Sequence, residues 1–180
     1  MKKILAIILF VSTISFGQNK FITRTGELSF EASVPSFEEV AAKNSSVTVI
    51  INAENGEIAA LALVKAFRFK NALMEEHFNE NYAESSKYPK ATFKGKLVGF
   101  TFEELNGTNN LVIEGTLEFH GVTKQFTKIP INLVSQKNKI TISGNFRVRP
   151  SDFNIKIPKI VQSKVSDTVQ IAFNFELLKK

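Results

Sequence analysis

The sequence predicts a mainly β protein, a single antiparallel barrel of eight strands with one or two short helices. Three observations lead there. Apolar and polar residues alternate at period two through most of the chain. Short polar turns separate the alternating runs, one of them carrying the hairpin-forming pair Asn55-Gly56. The 17 Phe, against 2 Tyr and no Trp, favour a large, dry interior, because most of these rings bring no polar group that needs a partner. Runs with one buried and one wet face belong to antiparallel sheet, since parallel strands are covered on both faces and read as continuous apolar stretches. A barrel is preferred to a sandwich because closure removes exposed strand edges.

The first 17 residues, MKKILAIILFVSTISFG, have the layout of a secretory signal peptide. Lys2 and Lys3 form a basic start, Ile4 to Ile14 an apolar run, and Ser15 and Gly17 supply small residues ahead of cleavage before Gln18. The apolar run is shorter than the roughly 20 residues of a bilayer-spanning helix, and no later segment approaches that length. The expectation is one barrel domain over 18–180, periplasmic or secreted, with no membrane span in the mature chain.

Along that domain, Ser36-Phe37-Glu38-Glu39 fits a capping box and predicts a short helix through Ala42. Asn55-Gly56 then turns SVTVIINA into Glu57–Lys70, where Ile58, Ala60, Ala62 and Val64 alternate with Ala59, Leu61, Leu63, Lys65, Phe67 and Phe69. Both faces are apolar, so helix and strand compete. A strand is preferred, its outer face lying under a helix. Asn71 can cap a helix through Tyr82 that places Leu73, Met74, His77 and Phe78 on one face. A strand over Ala91–Glu104 ends at Asn106-Gly107. The next, Leu111–Phe119, reverses at His120-Gly121 into VTKQF. The polar run Gln136–Lys139 turns INLV into Lys139–Arg149, and Thr168–Leu178 has the cleanest alternation of all. In Leu111–Phe119 the inward face holds Ile113, Leu117 and Phe119, so His120 is expected to point to the wetter side and to pin the turn.

Composition and motif spacing narrow the chemistry. With no cysteine there is no disulfide and no lipid-attachment thiol. The net charge of +6 includes Lys2 and Lys3, and its cations are scattered rather than clustered as a nucleic-acid footprint requires. His77 and His120 are isolated and fall short of a metal-ligand set. No G-x-S-x-G occurs, no acidic residue pairs with either histidine in an obvious way, and neighbouring Glu75-Glu76 and Glu103-Glu104 point apart, so enzyme activity is not expected. No cofactor is implied.

Four segments in order resemble a known family. HFNENYAESSKYPKATFKG (77–95), IEGTLEFHGVTKQF (113–126), GNFRVRPSDFNI (144–155) and SDTVQIAFNFEL (166–177) are similar to motifs of the YceI-like family. The resemblance implies a lipocalin-like eight-stranded barrel, exported, that holds a long apolar molecule such as a polyisoprenoid, a quinone or a fatty acyl or amide lipid. Two departures stand out. The Arg-Asp pair usual before the family's His-Leu is absent from ALVKAFRFKNALMEEHF, and Pro150-Ser151-Asp152-Phe153-Asn154 stands where Arg-Ser-Asp-Phe-Gly is common. The mouth of the barrel is therefore expected to differ. The Gly-x-Trp of true lipocalins is also missing.

The residues expected on the barrel wall are Phe67, Phe69, Phe93, Phe100, Phe102, Ile113, Leu117, Phe119, Ile142, Phe146, Ile171, Phe173 and Phe175. Arg149 and Asp152 could meet a ligand head group at the mouth or form an ordinary strand-end ion pair. Alternation alone leaves open whether the rings fill the barrel or line a hollow; the resemblance implies the hollow. A filled barrel would instead suit an envelope protein-interaction or stress-response module with no small ligand, and a homodimer is left open.

Overall fold

The alternating runs close into a ring. The computed structural model describes residues 19–101 and 107–180. The predicted signal segment, the Asn106 turn and Phe102 lie outside the described residues. The strands are β1 (Lys20–Ser33), β2 (Ala41–Asn52), β3 (Glu57–Leu63), β4 (Arg68–Phe69), β5 (Lys90–Val98), β6 (Gly107–Phe119), β7 (Val122–Gln136), β8 (Lys139–Val148) and β9 (Val165–Lys179). Eight of them pair antiparallel in the order β1-β9-β8-β7-β6-β5-β3-β2, and a β1–β2 ladder closes the barrel. β4 is a two-residue addition that pairs with Ala42 and Lys43 of β2.

Bulges keep the inward parity while the sheet curves. In β7 the register shifts between Phe126 and Ile129, so both residues pack on the core despite their odd spacing. His120 and Gly121, with φ of 50° and 73°, form the two-residue hairpin between β6 and β7. Lys137 and Asn138 form another between β7 and β8, as expected. The β2–β3 turn is longer than Asn55-Gly56 alone. It takes Ala53 to Gly56, with the Gly56 N–H donating to the Asn52 carbonyl at 2.9 Å.

Three expected elements differ. The helix from Ser36 does not form: Ser36 has φ of 74°, and β2 already begins at Ala41. Nucleating one helical turn is costly, whereas here the Ala32 N–H reaches the Val40 carbonyl at 2.8 Å and extends the β1–β2 ladder. The run Glu57–Lys70 is a strand only to Leu63, and a 3₁₀ turn over Val64–Ala66 comes next. That turn is anchored by buried Val64, whose N–H donates to the Pro89 carbonyl at 2.9 Å. It reverses the facing of the residues after it, so Phe67 and Phe69 join Ile58, Ala60 and Ala62 on the inside. Among the described residues no helix covers the outside of β3, and Leu63 is 48% exposed. Finally, β5 stops at Val98, before Gly99 at φ 69°.

The predicted helix is present. α1 (Ala72–His77) continues as a π turn over Phe78–Tyr82. The Asn71 side-chain oxygen caps it by accepting from the Leu73 and Met74 N–H groups at 2.9 and 3.3 Å.

One end of the barrel is solid. Ile51, Leu133, Ile140, Ile142 and Leu177 are fully buried there. Towards the other end, glycines on the inner face decide the packing. Gly95 and Gly115 sit opposite each other on β5 and β6, and the Phe93 ring lies over both. A Cβ on Gly115 would stand 2.4 Å from the Lys94 carbonyl oxygen and 2.7 Å from Phe93 Cζ. Phe173 lies in the same way over Gly144, and Phe175 over Gly26. The rings therefore lie back against the wall, and the upper lumen stays open.

Gly115→Ala is expected to destabilise the protein by about 1–3 kcal/mol, as overpacking does, and to push Phe93 into the lumen. Urea unfolding measures the first effect. Loss of ligand capacity without loss of the barrel's circular dichroism would report the second.

Candidate functional site

The open part of the barrel is a cavity of about 600 Å³. That volume falls within the range of roughly 300–1,000 Å³ found for ligand pockets. Its floor is Val47, Ile58, Ile113, Ile129 and Phe175, each at most 6% exposed. Its walls include Phe93, Leu117, Phe146, Ile171 and Phe173. Deep in the barrel the lining is hydrocarbon, with nothing to satisfy a buried polar group.

Two structures shape the mouth. On one side Phe30, Phe67, Phe69 and Phe78 form an aromatic cluster with ring centroids 5.2–6.0 Å apart. Tilted and edge-on contacts of this kind add stability beyond area burial, and they seat the helix on the barrel rim. The face predicted from helical spacing, Leu73, Met74, His77 and Phe78, is the face that meets the cavity. On the other side, the 3₁₀ turn over Pro150–Phe153 packs Phe153 against Phe119 at 5.6 Å. The β7–β8 ladder spans only Ile131–Gln136 against Lys139–Gly144. Above it, Phe126 and Phe146 meet at 5.2 Å, and Lys124 of β7 pairs with Asp152.

His120 belongs to this second assembly. It does not face the wetter side: its side chain is 10% exposed, under Tyr88 at 4.6 Å. The β6–β7 hairpin ends beneath two loops, so the outward direction is covered there. Nδ1 lies 2.8 Å from the Phe153 carbonyl oxygen and Nε2 lies 2.7 Å from Glu84 Oε2. Because the carbonyl can only accept, Nδ1 carries a hydrogen and donates it there, while Nε2 faces the Glu84 carboxyl group. Glu84, 36 residues away in sequence, is the acidic partner that the sequence did not reveal. With both nitrogens engaged in tying loops together, His120 pins the turn, as expected, and a good deal more. Among the described residues no group of three or more His, Asp or Glu could hold a metal ion.

Of the residues expected on the wall, Phe67, Phe69, Phe93, Ile113, Leu117, Phe119, Phe146, Ile171, Phe173 and Phe175 border the cavity. Ile142 has the right facing but sits in the solid core beneath the floor. Phe100 is off the wall because β5 ends before it, and its ring packs at the Gly56 turn instead. Phe102 lies outside the described residues. Sequence reasoning missed Phe30, Ile129 and Phe153, as well as Ile155, Ile157, Val161 and Val165 from the segment before β9. The alternation of Ile155 and Ile157 and the four-residue spacing of Val161 and Val165 were the available signals.

Arg149 borders the mouth and Asp152 does not. The two do not pair through their side chains; Asp152 binds Lys124 and accepts the Arg149 backbone N–H at 2.8 Å. Asn154, where the related motif carries Gly, takes the left-handed φ of 58° that asparagine tolerates. The Lys124 ammonium, then the Arg149 N–H, hold the Asp152 carboxyl below the usual carboxylate range. A depressed pKa means the pair stabilises the fold above the unfolded-state value and loses that contribution as pH falls through the native one. Asp152→Asn is therefore expected to be less stable than wild type at neutral pH. The gap should close on acidification below the ordinary aspartate range, as followed by urea midpoints across pH; a gap independent of pH would contradict it.

Comparison with known proteins agrees with this geometry. No curated protein sequence matches the chain. Among solved structures, a polyisoprenoid binding domain from Saccharophagus degradans superposes with a TM-score of 0.77 at 15% identity, covering 91% of this chain and 99% of that one. BcnA from Burkholderia cenocepacia gives 0.69 at 16% identity, over 85% of this chain and 96% of that one. A Campylobacter jejuni YceI protein gives 0.54 at 16% identity, over 99% and 94%. At such identities the likeness establishes the fold. The family model described as the YceI-like domain matches residues 11–177, nearly the whole chain, and the protein belongs to the YceI-like family.

Proposed function

We propose that this protein is an exported carrier that holds one long apolar molecule inside its barrel, for sequestration or transport through an aqueous compartment. The observation that carries the reading is the hollow itself: about 600 Å³ bounded at depth by hydrocarbon and opening at one end. Burying a methylene is worth about 0.8 kcal/mol, so a dozen tail carbons supply on the order of 10 kcal/mol. Ordering the tail offsets part of that, and a micromolar dissociation constant needs about 8 kcal/mol. A polyisoprenoid, a quinone or a fatty acyl or amide lipid has such a tail. The polyisoprenoid binding domain from Saccharophagus degradans, which shares the fold, supports the first of these. The open lumen weighs against a filled barrel that acts only by protein contacts. The engagement of both His120 nitrogens weighs against hydrolytic chemistry at that residue.

Organic extraction or native mass spectrometry of the purified protein is expected to find a bound apolar molecule, or uptake of polyprenyl or acyl compounds. A barrel that stays empty with all of them would overturn the reading. Ala60→Trp, which places an indole in the lumen from the wall of β3, is expected to weaken uptake at least tenfold while the circular dichroism of the barrel persists.

Export rests on the N-terminal layout. N-terminal sequencing of the protein recovered outside the cytoplasm is expected to start at Gln18, and an intact Met1 in that fraction would contradict it.

A further inference from the structure

We infer that the carried molecule is an amphiphile with an anionic head group, held at the barrel mouth by Arg149 and Lys164. This rests on the carrier reading and goes on to the chemistry of the ligand's exposed end.

The polar residues bordering the cavity are Glu38, Asn71, His77, Tyr82, Arg149 and Lys164. Two of them already have partners within the protein; the Glu38 carboxylate keeps its charge, so the two cations of the rim outnumber its one carboxylate. The Asn71 oxygen caps α1, and its amide donates to Glu38 at 2.8 Å. His77 and Tyr82 offer ring-nitrogen and hydroxyl hydrogen bonds to a head group of either sign. Arg149 and Lys164 remain. Both are exposed, and neither forms an ion pair with a carboxylate among the described residues. The carboxylate nearest Arg149 in sequence is Asp152; it feels the Arg149 charge, but its side-chain ion pair is with Lys124 from the neighbouring β7.

The segment 149–164 therefore presents Arg149, Lys156, Lys159 and Lys164 with Asp152 as its sole carboxylate. Its apolar residues Ile155, Ile157 and Val161 turn to the cavity. A tail lying against those side chains leaves its head beside the two cations. An anion suits this position because it stays hydrated at the mouth, where the cost of burying charge does not arise. A guanidinium and an ammonium each donate hydrogen bonds to the oxygens of a carboxylate or a phosphate.

The test compares farnesol, farnesoic acid and farnesyl monophosphate, which share one tail, at pH 8 and low salt. The acid and the phosphate are expected to bind about three- to tenfold more tightly than the alcohol, the range for one or two exposed charge pairs. The preference should shrink in 1 M salt, where the Debye length is about 3 Å. In Arg149→Gln/Lys164→Gln the ratio of acid to alcohol affinity is expected to fall to about one, and Arg149→Lys/Lys164→Arg should restore it, separating charge from shape. A phosphate that binds more tightly than the acid assigns the site to a phosphorylated tail, and the reverse assigns it to a carboxylate. A ratio near one in the wild type, or one that persists in the double glutamine variant, overturns the inference and leaves the carrier reading standing. Failure of all three compounds to bind overturns both.

Discussion

The structure depends on how the barrel disposes of its phenylalanine rings. A small barrel whose inner face carries many large side chains fills itself unless something makes room. Here the room comes from inward-facing glycines. Phe93 rests on Gly95 and Gly115, Phe173 on Gly144 and Phe175 on Gly26. Each ring buries one face on bare backbone and presents the other to the lumen, so the wall stays apolar without closing the space. Close contact without a Cβ also brings β5 and β6 together at the Gly95–Gly115 pair. The same contacts hold the sheet and keep it hollow.

The two ends of the barrel obey different logic. At the closed end, aliphatic side chains from β2, β7, β8 and β9 interdigitate and exclude solvent. At the open end, the rim consists of segments that could not hold themselves in place. Helix α1 buries little of its own surface and is seated by the four-ring cluster around Phe30 and Phe78. The Pro150–Phe153 turn bridges the stretch where the β7–β8 ladder has ended. It is tied by Lys124–Asp152 and by the His120 bond to the Phe153 carbonyl. The residues that first suggest chemistry in the sequence, His120 and Asp152, are thus committed to keeping the mouth in shape. That commitment leaves Arg149 available, because its natural counter-ion is held elsewhere.

Polarity then divides along the barrel axis. Depth offers only hydrocarbon, and the rim offers two cations, the Glu38 carboxylate, uncharged polar groups and water. A ligand matched to this gradient has one long apolar part and one hydrated end, a division of labour usual for apolar pockets with few oriented polar groups.

Which residues face inward is a local property of each strand, and the alternation in Leu111–Phe119 and Thr168–Leu178 carried that information unaided. The helix cap at Asn71 and the turns at His120-Gly121 and Lys137-Asn138 were equally local and equally legible. Elements whose fate hangs on distant partners were not. The Ser36 capping box yielded to the β1–β2 ladder, and the run after Leu63 broke because Val64 found Pro89. Ile142 and Phe175 show the same limit within the site. They are direct neighbours in the β8–β9 register and share the inward face, yet Phe175 reaches the cavity floor and Ile142 lies beneath it. By itself the sequence determined the antiparallel strands, the facing of uninterrupted runs such as Leu111–Phe119 and Thr168–Leu178, and the apolar character of the interior, because period-two patterning is written residue by residue. Only the tertiary structure decided that the interior is open and which charges remain at its mouth. An empty volume and an unpaired cation are both set by what distant strands bring, or fail to bring, to the same place.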